Sequence, residues 1–138
     1  MVRVVAYAFV VSALLCAGLA ACGAKPPAKT VQADGYLLAV TTQPSPPEVG
    51  MTAELEARLS KDGKSQEDCR LRFRQIMRDM GMDTDRLWHD MGVNGASGAY
   101  RGRSAEFGMG GDWNLEFQFT CGGVTHTASI PLHLEWPK

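Results

Sequence analysis

Motifs of common catalytic and redox sites are missing from this chain. It contains no Cys-x-x-Cys pair, no Gly-x-Ser-x-Gly elbow and no His-Glu-x-x-His helix, so nothing points to thioredoxin-like, serine hydrolase or zinc protease chemistry. A basic surplus is missing as well, because 14 Lys and Arg residues face 15 Asp and Glu residues. Nucleic-acid binders carry a basic patch, which this balance argues against. We expect no catalysis and no nucleic-acid partner, and the sequence identifies no small-molecule substrate.

A charge-free apolar run, Val4–Ala21, follows the lone Arg3 and ends in Leu19-Ala20-Ala21-Cys22. A basic start, an apolar middle and small residues at the end are typical of a secretory signal peptide. The cysteine directly after the small residues makes the segment resemble a bacterial lipobox, in which the chain is cut before the cysteine and the new N-terminal thiol carries lipid. We therefore expect a signal peptide at 1–21 and a lipid on Cys22. The alternative is an uncleaved membrane helix, although about 18 apolar residues would barely span a bilayer.

The residues after the cleavage point predict a short linker and one domain. Residues 22–35 lack apolar periodicity and contain a Pro-Pro pair, so we expect a flexible tether. Gly23, rather than an acidic residue, follows the cysteine and resembles outer-membrane-directed lipoproteins where a second membrane exists. Residues 36–138 suit a single domain with one core, held at the cell envelope and facing the periplasm or the exterior.

Period-two alternation predicts an antiparallel β-sandwich in this domain. The clearest strand is Trp113–Cys121, in which large apolar or cysteine side chains alternate with polar ones. Gly122-Gly123 predicts the hairpin turn that follows, and Asp62-Gly63 predicts an earlier tight turn. Pro131 lies inside the returning strand Val124–Trp136 and predicts an edge position or a bulge, because proline has no N–H for the ladder. Short strands between turn signals, with no long helical pattern, indicate an immunoglobulin-like all-β sandwich.

Two cysteines remain once Cys16 leaves with the signal peptide and Cys22 takes lipid. Cys69 and Cys121 both fall on the inward phase of predicted strands, in a compartment where disulfides persist. We expect a disulfide that resembles the inter-sheet bridge of immunoglobulin-like domains, with Trp113 nearby. The alternative is a thiolate metal ligand or a redox switch.

Soft metal donors are concentrated in the middle of the domain. Thioether sulfur suits Cu(I), and imidazole serves either oxidation state of copper. The strand pattern that starts at Cys69 breaks down near Gly81, so we expect a loop at which these donors converge on an exposed rim. Methionine also fills core gaps and packs on aromatic rings, so dispersal into the core is the alternative. The candidate donors are Met77, Met80, Met82, His89, Met91 and Met109.

The order of several short motifs resembles the YtkA-like/FixH-like domain. The motifs are Pro46-Pro47-Glu48-Val49-Gly50, Asp62-Gly63, Met80-Gly81-Met82, Gly98-Ala99-Tyr100 and Met109-Gly110-Gly111-Asp112-Trp113. The resemblance runs from about Leu37 to Leu134. It implies an extracytoplasmic immunoglobulin-like sandwich from a family in which some members are encoded with copper-handling or cytochrome-oxidase assembly proteins.

This chain departs from that family pattern in two places. Arg78 and Asp79 stand where a proline usually accompanies the methionines, and Cys69 and Cys121 are additions to the pattern. The resemblance implies a non-catalytic binding or interaction domain on a membrane-anchored lipoprotein, with copper handling or envelope protein assembly as its expected role. The alternative is an envelope lipoprotein that acts only through a protein partner and holds no metal.

Overall fold

Antiparallel β-strands make up the computed structural model, which describes residues 27–78 and 87–138. No helix occurs in these two ranges, so the predicted all-β class is confirmed there. In chain order the strands are β1 (Lys29–Ala33), β2 (Tyr36–Gln43), β3 (Glu54–Lys61), β4 (Lys64–Ser65), β5 (Arg70–Met77), β6 (His89–Asn94), β7 (Ala99–Arg103), β8 (Gly111–Cys121) and β9 (Val124–Leu134).

A helix long and apolar enough to cross a membrane is not found among the described residues. The predicted signal peptide at 1–21 and the predicted lipidation site, Cys22, lie outside those residues.

One continuous path of pairing, β1-β2-β3-β7-β6-β5-β8-β9, folds over a single core, with β4 paired to β3 beside it. The path passes from one layer to the other at β6, because His89–Met91 pairs with β5 whereas Gly92–Asn94 pairs with β7. A strand that changes partners in this way carries a sheet round a corner. The two resulting layers, β1-β2-β3-β7 and β5-β8-β9, form the predicted sandwich.

Alternation places one apolar face of each long strand in the core. In β8, Trp113 is 1% exposed, and Phe117 and Phe119 are fully buried. Side chains of the two layers meet across the core, as where the ring of Tyr36 from β2 stands edge-on to Phe119 at 5.2 Å. Burying a side chain of this size contributes about 1.5–3 kcal/mol. Pro131 lies on β9, which among the described strands pairs only with β8 and is therefore an edge strand, as predicted.

The register gives the sandwich two unlike ends. The hairpin end carries the short connections at 34–35, 62–63, 66–69, 95–98 and 122–123. The predicted turns at Asp62-Gly63 (φ 51° and 74°) and Gly122-Gly123 (φ 58° and 83°) are both there. The loop end carries 27–28, 44–53, 104–110 and 135–138, together with Arg78 and Leu87, which flank residues 79–86.

β1 occupies part of the segment predicted to be a flexible tether. Lys29 pairs with Val40 and Ala33 with Tyr36, so β-structure starts seven residues before the expected domain boundary at residue 36. Val31 and Ala33 pack against the core, and the turn that follows takes positive φ at residues 34 and 35. Two partly buried apolar side chains and a hairpin turn are therefore enough to hold this edge strand.

Cys69 and Cys121 are joined by a disulfide. Its place differs from the expected inter-sheet bridge, because Arg70 pairs with Thr120 and the cysteines continue that same pair of neighbouring strands. Their Cα atoms are 4.6 Å apart. Trp113 lies near the opposite end of β8, so it does not pack beside the bridge. The disulfide thus ties β5 to β8 within one layer, at the hairpin end.

Tyr100 of β7 holds the connection between β4 and β5. Its hydroxyl donates to the carbonyl of Gln66 at 2.7 Å and accepts from the amide of Cys69 at 3.2 Å. The side chain is 1% exposed. Burial raises the pKa of Tyr100, because the phenolate form loses the solvation it would have in water.

Replacing both Cys69 and Cys121 with serine should lower the free energy of unfolding by about 4 kcal/mol, because the sequence separation of 52 sets the loop entropy that the bridge removes. Denaturant unfolding of the wild type and the double variant measures this difference. Reductant should lower the free energy of unfolding of the wild type to that of the variant and leave the value of the variant unchanged. Two free thiols in untreated, folded wild type would contradict the bridge.

Tyr100→Phe should cost about 1–3 kcal/mol of stability, because Gln66 and Cys69 each lose a buried hydrogen-bond partner. The raised pKa of Tyr100 adds a pH dependence: its contribution is complete below the tyrosine pKa of about 10 in the unfolded chain and is lost as the pH rises further. Urea unfolding at several alkaline pH values checks both effects. Parallel stability curves for wild type and variant above that pH would refute the pH-dependent part.

Candidate functional site

Two of the predicted copper donors are core residues. Met77 is the last residue of β5 and is 5% exposed, and Met91 of β6 is 6% exposed. Met91 packs beside the neighbouring strand β7, where a Cβ added to Gly102 would lie 3.3 Å from the Met91 Cγ. These two side chains are therefore packed in the core, as in the alternative interpretation, and do not lie on an exposed rim.

The described donors do not converge on one point. Met91 pairs with Leu71, six positions from Met77 along β5, which corresponds to about 20 Å at strand rise. His89 pairs with Phe73, and the two rings are 5.5 Å apart. One ion cannot be bound by both Met77 and Met91 at that separation.

Met109 lies at the loop end, partly buried against the core. Its carbonyl accepts a hydrogen bond from the indole Nε1 of Trp113 at 3.0 Å, and Trp113 pairs with Met77. Met77 and Met109 thus share the end at which Arg78 lies. Met80 and Met82 lie outside the described residues. Within 27–78 and 87–138, no three His, Cys, Asp or Glu side chains are grouped as metal ligands would be.

Cationic and aromatic side chains meet on the outer surface of the β5-β8-β9 layer. The guanidinium carbon of Arg74 lies 4.6 Å from the centre of the Trp88 ring, and that of Arg72 lies 5.8 Å from it. Such stacking is attractive because the ring face is electron-rich. We call this surface the arginine–tryptophan face; it comprises Arg70, Arg72, Arg74, Trp88, Asp90, Glu116 and Gln118.

Each arginine of this face has a different partner across the strands. Arg70 pairs with Asp90 at 3.0 Å, and Arg74 pairs with Glu116 at 2.7 Å. The third, Arg72, donates to the neutral amide oxygen of Gln118. The positive charge of Arg72 therefore has a neutral hydrogen-bond acceptor, unlike the charges on either side of it.

The exposed ion pair between Arg70 and Asp90 shifts the pKa of both residues. The hydrogen bond from Arg70 lowers the pKa of Asp90 below its usual range, and the same hydrogen bond raises the pKa of Arg70. Both groups are therefore charged at neutral pH. Because both are solvent-exposed, salt screens their attraction and the pair adds little to stability.

A depression of about 340 Å³ adjoins the ring of Trp88. Arg74 and Glu116 form one wall, and the outward residues Thr127 and Ser129 of β9 form the other. A second depression, of about 390 Å³, lies on the opposite layer beside Glu54, Glu56 and Arg101 and has no aromatic lining residue. The first combines a ring, charges of both signs and hydroxyl groups in one concave surface.

Sequence analysis did not identify this face. The sequence pattern alone does not bring Trp88 beside the three arginines. The available signal was the spacing of Arg70, Arg72 and Arg74 at every second position of one strand, which puts three guanidinium groups on one side. Trp88 joins them because the register brings the start of β6 beside Arg72 and Arg74.

A protein-family model described as YtkA-like matches residues 30–118. The chain belongs to the YtkA-like family. No curated protein and no solved structure matches it. The YtkA-like match begins inside β1, so the family domain includes the strand that sequence analysis assigned to the tether. It also covers every residue of the arginine–tryptophan face. The FixH-like part of the expected family stays a resemblance.

The copper prediction now rests on the connection at 79–86 of the YtkA-like domain. Wild type should withdraw Cu(I) from a competing chelator under reducing conditions, and Met80→Leu/Met82→Leu should withdraw less, because thioether sulfur suits Cu(I) and leucine keeps the side-chain volume. Met91→Leu is the matched control and should compete like wild type, because Met91 is a core residue. Equal competition by all three proteins would make these methionines packing residues.

Proposed function

We propose that this YtkA-like protein is a non-catalytic binding domain, lipid-anchored through Cys22 in the cell envelope, that engages a partner protein through the arginine–tryptophan face. The observation that carries the proposal is Trp88, half-buried beside the guanidinium groups of Arg72 and Arg74 on an otherwise polar sheet surface. Tryptophan and arginine are the residues most enriched at energetic centres of protein interfaces.

The physical properties of this face suit binding better than stabilisation. Exposed ion pairs contribute little to folding, and the side chains of Arg70 and Asp90 are 64% and 63% exposed. Trp88 offers a large rigid area whose ordering on binding loses little entropy. The Arg72 guanidinium can add a partner carboxylate to its neutral contact with Gln118. The expected partner therefore presents an acidic side chain next to an apolar one.

The disulfide supports a location outside the cytoplasm. Bridges of this kind persist in oxidising compartments and are rare in reducing ones. The lipobox-like Leu19-Ala20-Ala21-Cys22 points to the same compartment and adds the membrane anchor. A lipid-anchored domain with an outward-facing binding surface suits a role in envelope protein assembly.

Copper handling is a second candidate. It is favoured by the position of Met109, which lies at the loop end together with Arg78 and Leu87, the residues that flank the Met80 and Met82 segment. In this version of the function, the loop end receives the ion and the arginine–tryptophan face docks the protein that donates or accepts it.

Site-specific photo-crosslinking in the intact envelope tests the interaction. A photoreactive residue in place of Ser129, at the rim of the depression, should give one discrete adduct with an envelope protein. Trp88→Ala should weaken binding by about 30-fold or more and remove that adduct. The same photoreactive residue in place of Leu37, which is exposed on β2 of the opposite layer, is the matched control and should give no such adduct. An adduct at 129 that survives Trp88→Ala would overturn the proposal.

A further inference from the structure

The loop end presents two large apolar side chains to solvent. Met51 is 49% exposed and Trp136 is 58% exposed. The segment 104–110 links them: the amide of Phe107 donates to the Met51 carbonyl at 3.2 Å, and the Trp136 ring lies so close to Gly110 that an added Cβ would be 2.8 Å from its Cδ1. Met51 and Trp136 thus flank one segment at the tip of the sandwich.

Core packing and hydrogen bonds make this segment a rigid support. Phe107 is fully buried and stands edge-on to Trp113 at 5.2 Å. The buried Gln75 side chain donates from Nε2 to the carbonyls of Ala105 and Glu106 at 3.3 and 3.4 Å. The amide of Gly50 donates to the Phe107 carbonyl at 2.8 Å. The segment that Met51 and Trp136 flank is therefore held in place by the core.

The chain enters the domain at this same end. β1 begins at Lys29, which pairs with Val40 and lies on the loop-end side of β2. Only residues 22–28 separate a lipid on Cys22 from that strand, and seven residues reach at most about 24 Å. The strands β8 and β9 have 11 residues each, so the hairpin end lies about 36 Å from the loop end.

We infer that the loop end is a membrane-contacting surface, with Trp136 and Met51 placed in the headgroup region of the bilayer that holds the anchor. The inference rests on the proposed lipid anchor at Cys22. An anchor within about 24 Å keeps the loop end at a high local concentration of lipid, so a weak contact is enough. Tryptophan favours the membrane–water interface because its ring is apolar and its N–H is polar.

The contact should not depend on lipid charge. Arg78 and Lys138 at the loop end are outnumbered by Glu48, Glu106 and Glu135, so no polybasic cluster is present among the described residues there. Neutral phosphatidylcholine vesicles are therefore the probe. Trp88 provides an internal comparison, since it lies on the outer sheet face rather than at the tip.

Flotation of the mature, lipidated chain with phosphatidylcholine vesicles comes first. Wild type should float and Cys22→Ser should not. A wild type that fails to float would overturn the anchor, and with it this inference.

Tryptophan quenching by brominated phosphatidylcholine then tests the orientation of the floated protein. Wild-type fluorescence should be quenched. Trp136→Phe should lose most of the quenchable part, whereas Trp88→Phe should keep it. Core Trp113 is common to both variants and contributes equally. Floated wild type whose quenching is unchanged by Trp136→Phe would overturn the membrane contact alone and leave the anchor standing.

Discussion

The change of partners within β6 is the constraint on which the rest of this sandwich depends. His89–Met91 belongs to the β5 side and Gly92–Asn94 to the β7 side, so six residues connect the two layers. The same crossing orients β5: its inward Phe73 meets Gly102 of β7 across the core, and its arginines face away. The core and the candidate binding surface are therefore opposite sides of one strand.

This arrangement explains why methionines and arginines so close in the sequence have different roles. In a strand, neighbouring side chains point to opposite faces, so Met77 enters the core while Arg72 and Arg74 reach Trp88 outside. Strand geometry therefore separates soft donors that lie close together in the sequence. Of the described donors, Met77 and Met109 lie at the loop end, and the proposed copper role depends on that end.

Local patterns in the sequence were sufficient for the long strands β2, β3, β5, β8 and β9, for the tight turns and for the family, but they predicted a loop at His89 and Met91, where the structure has β6. Trp113–Cys121 alternates without exception, and the Asp-Gly and Gly-Gly pairs can adopt the positive φ that their turns use. The patterns failed where pairing partners decide the outcome. Whether Cys69 and Cys121 bridge two layers or two neighbours depends on which strand lies beside β5, and β1 is a strand only because β2 and the core receive it. The contact of Trp88 with Arg72 and Arg74 was missed for the same reason, since these neighbours come from another strand.

If Cys22 carries the proposed lipid, attachment through β1 gives the domain a defined response to mechanical load. The hydrogen bonds between antiparallel strands run perpendicular to the strand axis. A pull from the membrane on Lys29 runs along β1, so the five residue pairs from Lys29–Val40 to Ala33–Tyr36 carry the force together, in shear. The bond from the Lys29 ammonium to the Pro131 carbonyl, 3.1 Å long, adds a link to β9 at the loaded end. Tension on the anchor is thereby spread over both layers instead of peeling one strand away pair by pair.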